Sequence, residues 1–177
     1  MGIKSALQNT LYFIPVVGTI HHSRESYKLN REYQKLVKFA PSIKDMSGLN
    51  RISAQLRNAQ AFKELDTLPI DLKTRASEYF AHKNHVDQFG FWGSIVQMII
   101  CLAAQNLNPA FLVLGRVESL HMFYSVWKLA SGPDLYYYDS QKNASVVHRR
   151  ELFGESAIFG KKIVPRFDLE AELNNIH

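Results

Sequence analysis

The sequence predicts a mainly α protein, a helical bundle with a central apolar helical hairpin and a small irregular or β C-terminal extension. Three observations predict this class. Apolar residues recur at helical spacing through the first two thirds of the 177-residue chain. Residues 88–115, a stretch of 28 positions, contain no charged residue. The apolar share of 46% is ordinary for a folded globular protein.

The first long helix is predicted at residues 21–40. Its apolar residues share one face at helical spacing: Leu29, Tyr33, Leu36, Val37 and Ala40. Upstream, a short helix over 4–14 is expected to end before Pro15, because the residue that precedes a proline is displaced from helical geometry. Residues 15–19 then form a bend, and Pro41 ends the long helix.

Two more helices are predicted before the uncharged stretch. The first is capped by Asn50 and carries apolar residues at helical spacing: Ile52, Leu56, Ala59 and Phe62. The second covers 71–87, with an inner face of its own: Leu72, Ala76, Tyr79 and Phe80. Gly90 and Gly93 are expected to loosen the chain after it.

The central hairpin is predicted at residues 94–131. Asn108-Pro109 signals a helix start, since asparagine is a preferred cap and proline is well tolerated at the first helical position. We therefore expect two helices, about 94–105 and 109–131, joined by a tight connection. Gly132 and Pro133 end the second.

The organisation predicted from these elements is a helical domain over 1–133 followed by a C-terminal extension over 134–177. In the extension, residues 135–138 and 145–148 flank a polar turn and predict a small β-hairpin. Residues 151–166 are expected to be irregular, and a short terminal helix capped by Asp168 is expected to follow.

The uncharged stretch is either the core of a soluble helical domain or a segment that enters a lipid bilayer. A spanning helix needs roughly 20 mostly apolar residues, and the cleanest run, 89–104, has 16. The second hairpin helix carries a polar stripe at helical spacing: Glu118, His121, Ser125 and Lys128. Such a stripe favours a soluble core helix with one wet side. A membrane hairpin and an interfacial helix remain the alternatives.

The positive charge is concentrated in the first third of the chain. Residues 1–65 carry a balance of +6, whereas residues 66–177 carry −1. On the helix at 21–40, five basic residues fall within about 80° of each other: Arg24, Lys28, Arg31, Lys35 and Lys38. This basic row predicts an anionic membrane surface or an acidic protein as the partner. The absence of a recognisable nucleic-acid-binding signature disfavours nucleic acid. Self-association stays open.

One constellation is compatible with a metal site. Glu78, His82 and His85 are spaced i, i+4 and i+7, and Glu118 and His121 form a Glu-x-x-His pair. Di-metal helical bundles use two such pairs with two further glutamates. Only one pair is present, so these five residues are weak candidate ligands.

No catalytic motif accompanies these features. The sequence lacks a Gly-x-Ser-x-Gly nucleophile turn, a phosphate-binding loop and a dinucleotide-binding glycine pattern. Cys101, the single cysteine, lies among apolar residues that disfavour a reactive thiolate. The chain is therefore predicted to be non-enzymatic and to need no cofactor.

Residues 11–20 read Leu-Tyr-Phe-Ile-Pro-Val-Val-Gly-Thr-Ile and lead into the basic helix. This opening resembles the starts of small chlamydial proteins. The two apolar lobes around residues 105–108 are similar to the bilobed hydrophobic hairpin of chlamydial inclusion membrane proteins. The resemblance implies a non-enzymatic bacterial protein that faces host membrane or host proteins. The chain departs from the pattern where its second lobe carries Arg116, Glu118 and His121.

We therefore predict a non-enzymatic interaction protein that binds an anionic membrane surface or an acidic protein through its basic amphipathic helix. It is expected to be cytoplasmic or peripheral to a membrane. The first alternative is an integral membrane hairpin protein of an intracellular bacterium. The second is a metal-dependent helical enzyme that uses the five candidate ligands.

Overall fold

Helices dominate the structure, a computed structural model that describes residues 8–46, 51–131, 135–148 and 167–168. The four long helices are α1 (Val17–Val37), α2 (Arg51–Asp66), α3 (Ile70–Ala104) and α4 (Ala110–Ser131). A helical turn at 8–11 precedes them, and a 3-10 helix at Pro41–Asp45 joins α1 to α2. The predicted mainly α class with a small β extension is confirmed.

Helix α1 begins four residues earlier than predicted. The backbone N–H of Val16, just before the helix, donates to Oε1 of Glu118 at 3.2 Å. Valine cannot cap a helix with its own side chain, and Val16 adopts a positive φ of 67°. A carboxylate 102 positions away instead accepts one of the backbone N–H groups that have no partner within the helix at its start. Local sequence patterns cannot reveal such a distant cap.

Helix α3 runs unbroken for 35 residues, so the predicted loosening at Gly90 and Gly93 is wrong. Both glycines lie inside the helix, where His22 of α1 approaches Gly90 and Tyr12 approaches Gly93. A Cβ atom at Gly90 would lie 2.5 Å from Nε2 of His22, and one at Gly93 would overlap the carbonyl of Tyr12. The glycines allow close packing, which offsets their low helix propensity.

The connection between the two helices of the predicted hairpin lies close to its expected position. Helix α3 ends at Ala104 and α4 begins at Ala110, whose N–H donates to Oδ1 of Asn108 at 2.9 Å. The two helices pack closely where a Cβ atom at Gly115 would be 3.4 Å from Cβ of Cys101.

The described residues form two compact units. The first, which we call the hairpin unit, comprises residues 8–28 and 85–129. The second, which we call the sheet unit, comprises the described residues within 29–84 and those after 129. Helices α1 and α3 each contribute residues to both units.

The sheet unit has an aromatic core. The rings of Phe62 and Tyr136 stack with centroids 5.9 Å apart, and Phe80 meets Phe62 edge-on at 6.1 Å. All three side chains are buried.

A three-stranded antiparallel sheet completes this unit. Strands β1 (Leu135–Asp139) and β2 (Ala144–His148) form the predicted β-hairpin, and β3 (Phe167–Asp168) pairs with β2. Asp168 lies in this strand rather than capping a helix. The expected irregular segment at 151–166 and the rest of the expected terminal helix lie outside the described residues.

Candidate functional site

Helix α4 exposes its apolar side and buries its polar side. Leu120 and Phe123 are 71% and 66% exposed, whereas Glu118 and Ser125 are 1% and 2% exposed. The polar stripe predicted to be the wet side of a soluble helix is therefore largely turned inward. This arrangement is the reverse of a surface helix in a water-soluble protein.

The exposed apolar residues of α4 form a stripe that we call the apolar face. Its members recur at helical spacing: Leu112, Val113, Val117, Leu120, Phe123, Tyr124 and Trp127. The stripe extends about 22 Å along the helix. Arg116 is the only charged residue exposed on α4 and lies toward its N-terminal end.

Other exposed apolar side chains occur in the rest of the hairpin unit: Ile14, Val16, Val17, Ile20, Tyr27, Ile99, Ile100, Leu102 and Leu107. In the described part of the sheet unit, the large exposed apolar side chains are Phe39, Ile70 and Tyr137. Apolar exposure on this scale, concentrated in one unit, marks an interaction surface. Among the described residues, α3 is the one helix long and apolar enough to cross a membrane, although 56% of its most apolar window is buried.

Four side chains inside the hairpin unit form a hydrogen-bonded series that we call the polar chain. Nδ1 of His22 lies 2.8 Å from Nε2 of His121. On the opposite side of its ring, Nδ1 of His121 lies 3.3 Å from Oγ1 of Thr19. The Thr19 hydroxyl donates to Oε2 of Glu118 at 2.7 Å. The chain thus links α1 to α4.

Gln97 on α3 supports the polar chain. Its Nε2 donates to the backbone carbonyl of Tyr12 at 2.7 Å, and its Oε1 lies 3.2 Å from the Thr19 hydroxyl. The side chain is 1% exposed. Gln97 therefore ties the segment before α1 to the centre of the unit, and buried polar groups joined in this way specify one arrangement.

Burial controls the charge of His22. Removal from water lowers the pKa of its imidazole from 6.5 to about 3, and nearby His121 and Lys128 act in the same direction, against Asp87. His22 is therefore neutral in the folded protein at physiological pH.

The stability of the protein is expected to fall as the pH drops from about 6.5 toward 3. In that range unfolded His22 binds a proton and folded His22 does not, so acid favours unfolding. Relative to neutral pH, the loss at pH 5 is about 2 kcal/mol. Thermal unfolding followed by circular dichroism measures it. The loss should shrink in His22→Asn, and an identical pH dependence in both proteins would contradict this assignment.

The metal candidates do not converge. Glu78 and His82 are exposed, while Nε2 of His85 lies 3.1 Å from Oδ1 of Asn9. Glu118 and His121 are neighbours, with Nδ1 of His121 3.5 Å from Oε2 of Glu118, but this pair alone is too few ligands for a metal centre. No three His, Cys, Asp or Glu side chains in the part of the chain that the structure describes could hold a metal ion.

All five residues of the basic row are exposed. Two of them are ion-paired on the same helix: Lys28 with Glu25 and Lys35 with Glu32, each at 2.5 Å. The hydrogen bond from Lys35, with that from Arg75, lowers the pKa of the Glu32 carboxyl.

The other three members of the row, Arg24, Arg31 and Lys38, make no ion pair with any described residue. The row therefore presents less net positive charge than its five cations suggest. These three residues are its strongest candidates for contact with an anion.

Sequence reasoning missed the roles of Thr19, His22 and Gln97. From the sequence alone, no role is assigned to His22 or Gln97, and Thr19 is placed in a bend. The available signal was the presence of isolated polar residues inside apolar segments, which are buried only where partners satisfy them.

Comparison with protein-family models, curated proteins and solved structures gave no match. The resemblance to chlamydial inclusion membrane proteins therefore stays a prediction. We therefore infer function from the geometry of the hairpin unit and from the charges of α1.

Proposed function

We propose that the protein is a non-enzymatic membrane protein whose hairpin unit enters a lipid bilayer while the basic row of α1 meets anionic headgroups. The observation that carries this proposal is the reversed polarity of α4. Its apolar face points outward, and Glu118 and Ser125 point inward. Ionisable side chains within membranes almost always face the protein interior.

Contact with lipid removes the unfavourable free energy of exposing the apolar face to water. Apolar surface left in water costs about 25 cal/mol per Å² relative to burial, and Leu120 and Phe123 are mostly exposed. The polar chain has the opposite requirement, because its hydroxyl, imidazole and carboxylate groups need partners when removed from water. Insertion satisfies both requirements, and it requires exposed Arg116, one turn before Leu120, to extend its long side chain to the headgroups.

The dimensions of the hairpin support insertion. The uncharged part of α3, residues 88–104, extends about 25 Å, close to the roughly 30 Å of a hydrocarbon core. The connection between α3 and α4 is polar, with Gln105, Asn106 and Asn108. Polar residues beyond the end of the apolar helix suit an aqueous or headgroup environment.

Aromatic residues support an interface at the opposite end of α4. Tyr124 and Trp127 are exposed beside Lys128, whose Nζ lies 5.3 Å from the centre of the Tyr124 ring. Nζ of Lys128 also donates to Oγ of Ser26 on α1 at 3.3 Å. Tyrosine and tryptophan are enriched where hydrocarbon meets headgroups, and this end of α4 is bonded to the part of α1 that carries Arg24 and Lys28.

Removing the three cations of the basic row that form no ion pair with the described residues is expected to weaken binding to anionic vesicles. Each basic residue near an anionic surface contributes about 1 kcal/mol. Replacing Arg24, Arg31 and Lys38 by glutamine should therefore lower the affinity roughly 100-fold. Flotation of the purified protein with phosphatidylserine-containing vesicles measures this change.

A matched control removes the same number of positive charges elsewhere. Lys44, Lys63 and Lys142 are exposed and lie outside α1. Their replacement by glutamine should alter vesicle binding much less. Equal losses in the two triple variants would show that net charge alone governs binding and would remove the basic row from the proposal.

Alkaline carbonate extraction of membranes from cells that produce the full chain tests insertion. The proposal predicts that the protein stays in the membrane pellet, because carbonate releases proteins that are held by charge alone. Complete release would contradict insertion and favour a surface-bound protein. Binding to an acidic protein with none to anionic vesicles would favour the protein partner instead.

A further inference from the structure

A second uncharged stretch precedes the hairpin helices. Residues 5–23 contain no lysine, arginine, aspartate or glutamate. The described part of this stretch begins with the helical turn at 8–11 and ends in the first turns of α1. We propose that residues 9–26, which we call the re-entrant segment, enter the bilayer, turn back near its middle and leave on the side they entered. Such a path rests on the proposed insertion of the hairpin unit into lipid.

Contacts along α3 locate the descending part of the segment. Oδ1 of Asn9 lies 3.1 Å from Nε2 of His85. Further along the chain, the backbone carbonyl of Tyr12 packs against Gly93 and accepts a hydrogen bond from Gln97 at 2.7 Å. From His85 to Gln97, α3 rises about 18 Å. The segment therefore advances along α3 into the uncharged part of the hairpin unit.

The chain reverses at Val16. This residue adopts a positive φ of 67°, and its N–H donates to Oε1 of Glu118 at 3.2 Å. Residues on both sides of the reversal contact Gln97, with Tyr12 before it and Thr19 after it. The reversal therefore lies at the level of Gln97.

Gln97 lies near the middle of the apolar part of the hairpin. From Asp87, the last charged residue before the uncharged stretch, α3 rises about 15 Å to Gln97. A hydrocarbon core is roughly 30 Å thick. Because the uncharged residues 88–104 would span this core, the reversal lies about half-way across it.

Helix α1 carries the chain back toward the end of the unit from which it came. Nδ1 of His22 lies 2.8 Å from Nε2 of His121, and the His22 ring lies against Gly90. One turn later, Oγ of Ser26 accepts a hydrogen bond from Nζ of Lys128 at 3.3 Å. As α1 advances, its contacts thus move toward the C-terminal end of α4 and back toward the start of the uncharged part of α3.

The backbone at the reversal meets the main requirement for irregular structure inside a membrane. From Tyr12 to Gly18 every N–H group donates a hydrogen bond, and Pro15 has none to donate. The N–H of Val17 donates to the carbonyl of Pro15 at 2.8 Å, and that of Gly18 donates to Ile14 at 2.7 Å. Non-helical backbone is tolerated at membrane depth only where protein or water satisfies its polar groups.

The outward side chains of the segment change from apolar to basic at one point. Ile14, Val17 and Ile20 are exposed. One turn after Ile20, the same face of α1 carries exposed Arg24 and then Lys28. Apolar side chains therefore cover the part assigned to hydrocarbon, and the basic row begins where the segment emerges. The partner of this apolar surface is the acyl chains of the leaflet whose headgroups the basic row meets.

Labelling of single cysteines in sealed vesicles of known orientation tests this path. In a Cys101→Ser background, a membrane-impermeant maleimide should label Gln8→Cys and Gln34→Cys from the same side. Asn106→Cys, in the connection between α3 and α4, should be labelled from the opposite side. Ile20→Cys should resist labelling from both sides until detergent is added. All four substituted side chains are exposed, so cysteine at these positions should leave the packing intact.

Phe123→Cys separates this path from the proposed function, because protection at position 123 reports insertion of the hairpin alone. With position 123 protected, Gln8→Cys labelled from the side opposite Gln34→Cys would mean that the segment crosses the bilayer. Ready labelling of Ile20→Cys would mean that the segment stays outside it. Either result overturns the re-entrant path and leaves the inserted hairpin in place. Free labelling of Phe123→Cys would overturn both.

Depth along the segment gives a second measurement. Fluorophores attached to Gln8→Cys, Ile14→Cys or Ile20→Cys are quenched by lipids that carry a nitroxide either near the headgroup or near the end of an acyl chain. Ile14 should be the deepest position, because it adjoins the reversal, and Gln8 and Ile20 should both be shallower. A depth that changes in one direction from position 8 to position 20 would contradict a turn within the bilayer.

Discussion

Replacing Leu120 and Phe123 together by glutamate is expected to release the protein from membranes. Both side chains lie on the apolar face and are exposed, so the change should leave the packing of the hairpin unit intact. A charge placed within the hydrocarbon costs at least about 2.5 kcal/mol. Two such charges should shift the balance between lipid and water by about 5 kcal/mol, or more than 10³-fold.

The readout is the fraction of protein that stays in the membrane pellet after carbonate extraction. A control places the same two charges on the sheet unit, at exposed Phe39 and Tyr137. That variant should stay in the pellet. If both double variants behave like the wild type, the apolar face does not contact lipid.

Gly93→Ala is expected to destabilise the hairpin unit strongly. The added Cβ would overlap the backbone carbonyl of Tyr12, which Gln97 holds through a hydrogen bond. Because a backbone group cannot turn aside as a flexible side chain can, the overlap should cost about 1–3 kcal/mol. A lower midpoint of thermal unfolding, measured in a mild detergent, reports this loss.

Gly115→Ala is the matched control for that substitution. Gly115 is also buried within a helix, but a Cβ there would lie 3.4 Å from the Cβ of Cys101, close to ordinary contact. Alanine is the better helix former by about 1 kcal/mol. We therefore expect little change or a small gain in stability. A similar loss at both positions would show that the approach of Tyr12 to α3 is not specific.

The sequence predicted the elements whose signals are local. The apolar repeat placed α1, the Asn108-Pro109 pair placed the start of α4, and alternating residues around a polar turn placed β1 and β2. Each signal depends on residues only a few positions apart. Periodicity and turn chemistry therefore sufficed for the fold class.

The polar chain could not be predicted in this way. Glu118 contacts residues about 100 positions away, at Val16 and Thr19. Gly90 and Gly93 suggested a helix break because glycine is a poor helix former. The close packing that offsets this low propensity comes from His22 and Tyr12, which are distant in the sequence. The polar stripe of α4 was identified, but whether it faced water or the interior depended on what packed against it. Only tertiary contacts decide such questions.

Spin-label accessibility tests the location of the apolar face most directly. A label attached to Phe123→Cys, in a Cys101→Ser background that removes the native thiol, is compared in vesicles with a label at exposed Gln34 of α1. At position 123 the account predicts frequent collision with lipid-soluble oxygen and protection from a water-soluble nickel chelate, and at position 34 the reverse. A label at position 123 that collides freely with the nickel chelate would contradict the membrane-inserted hairpin.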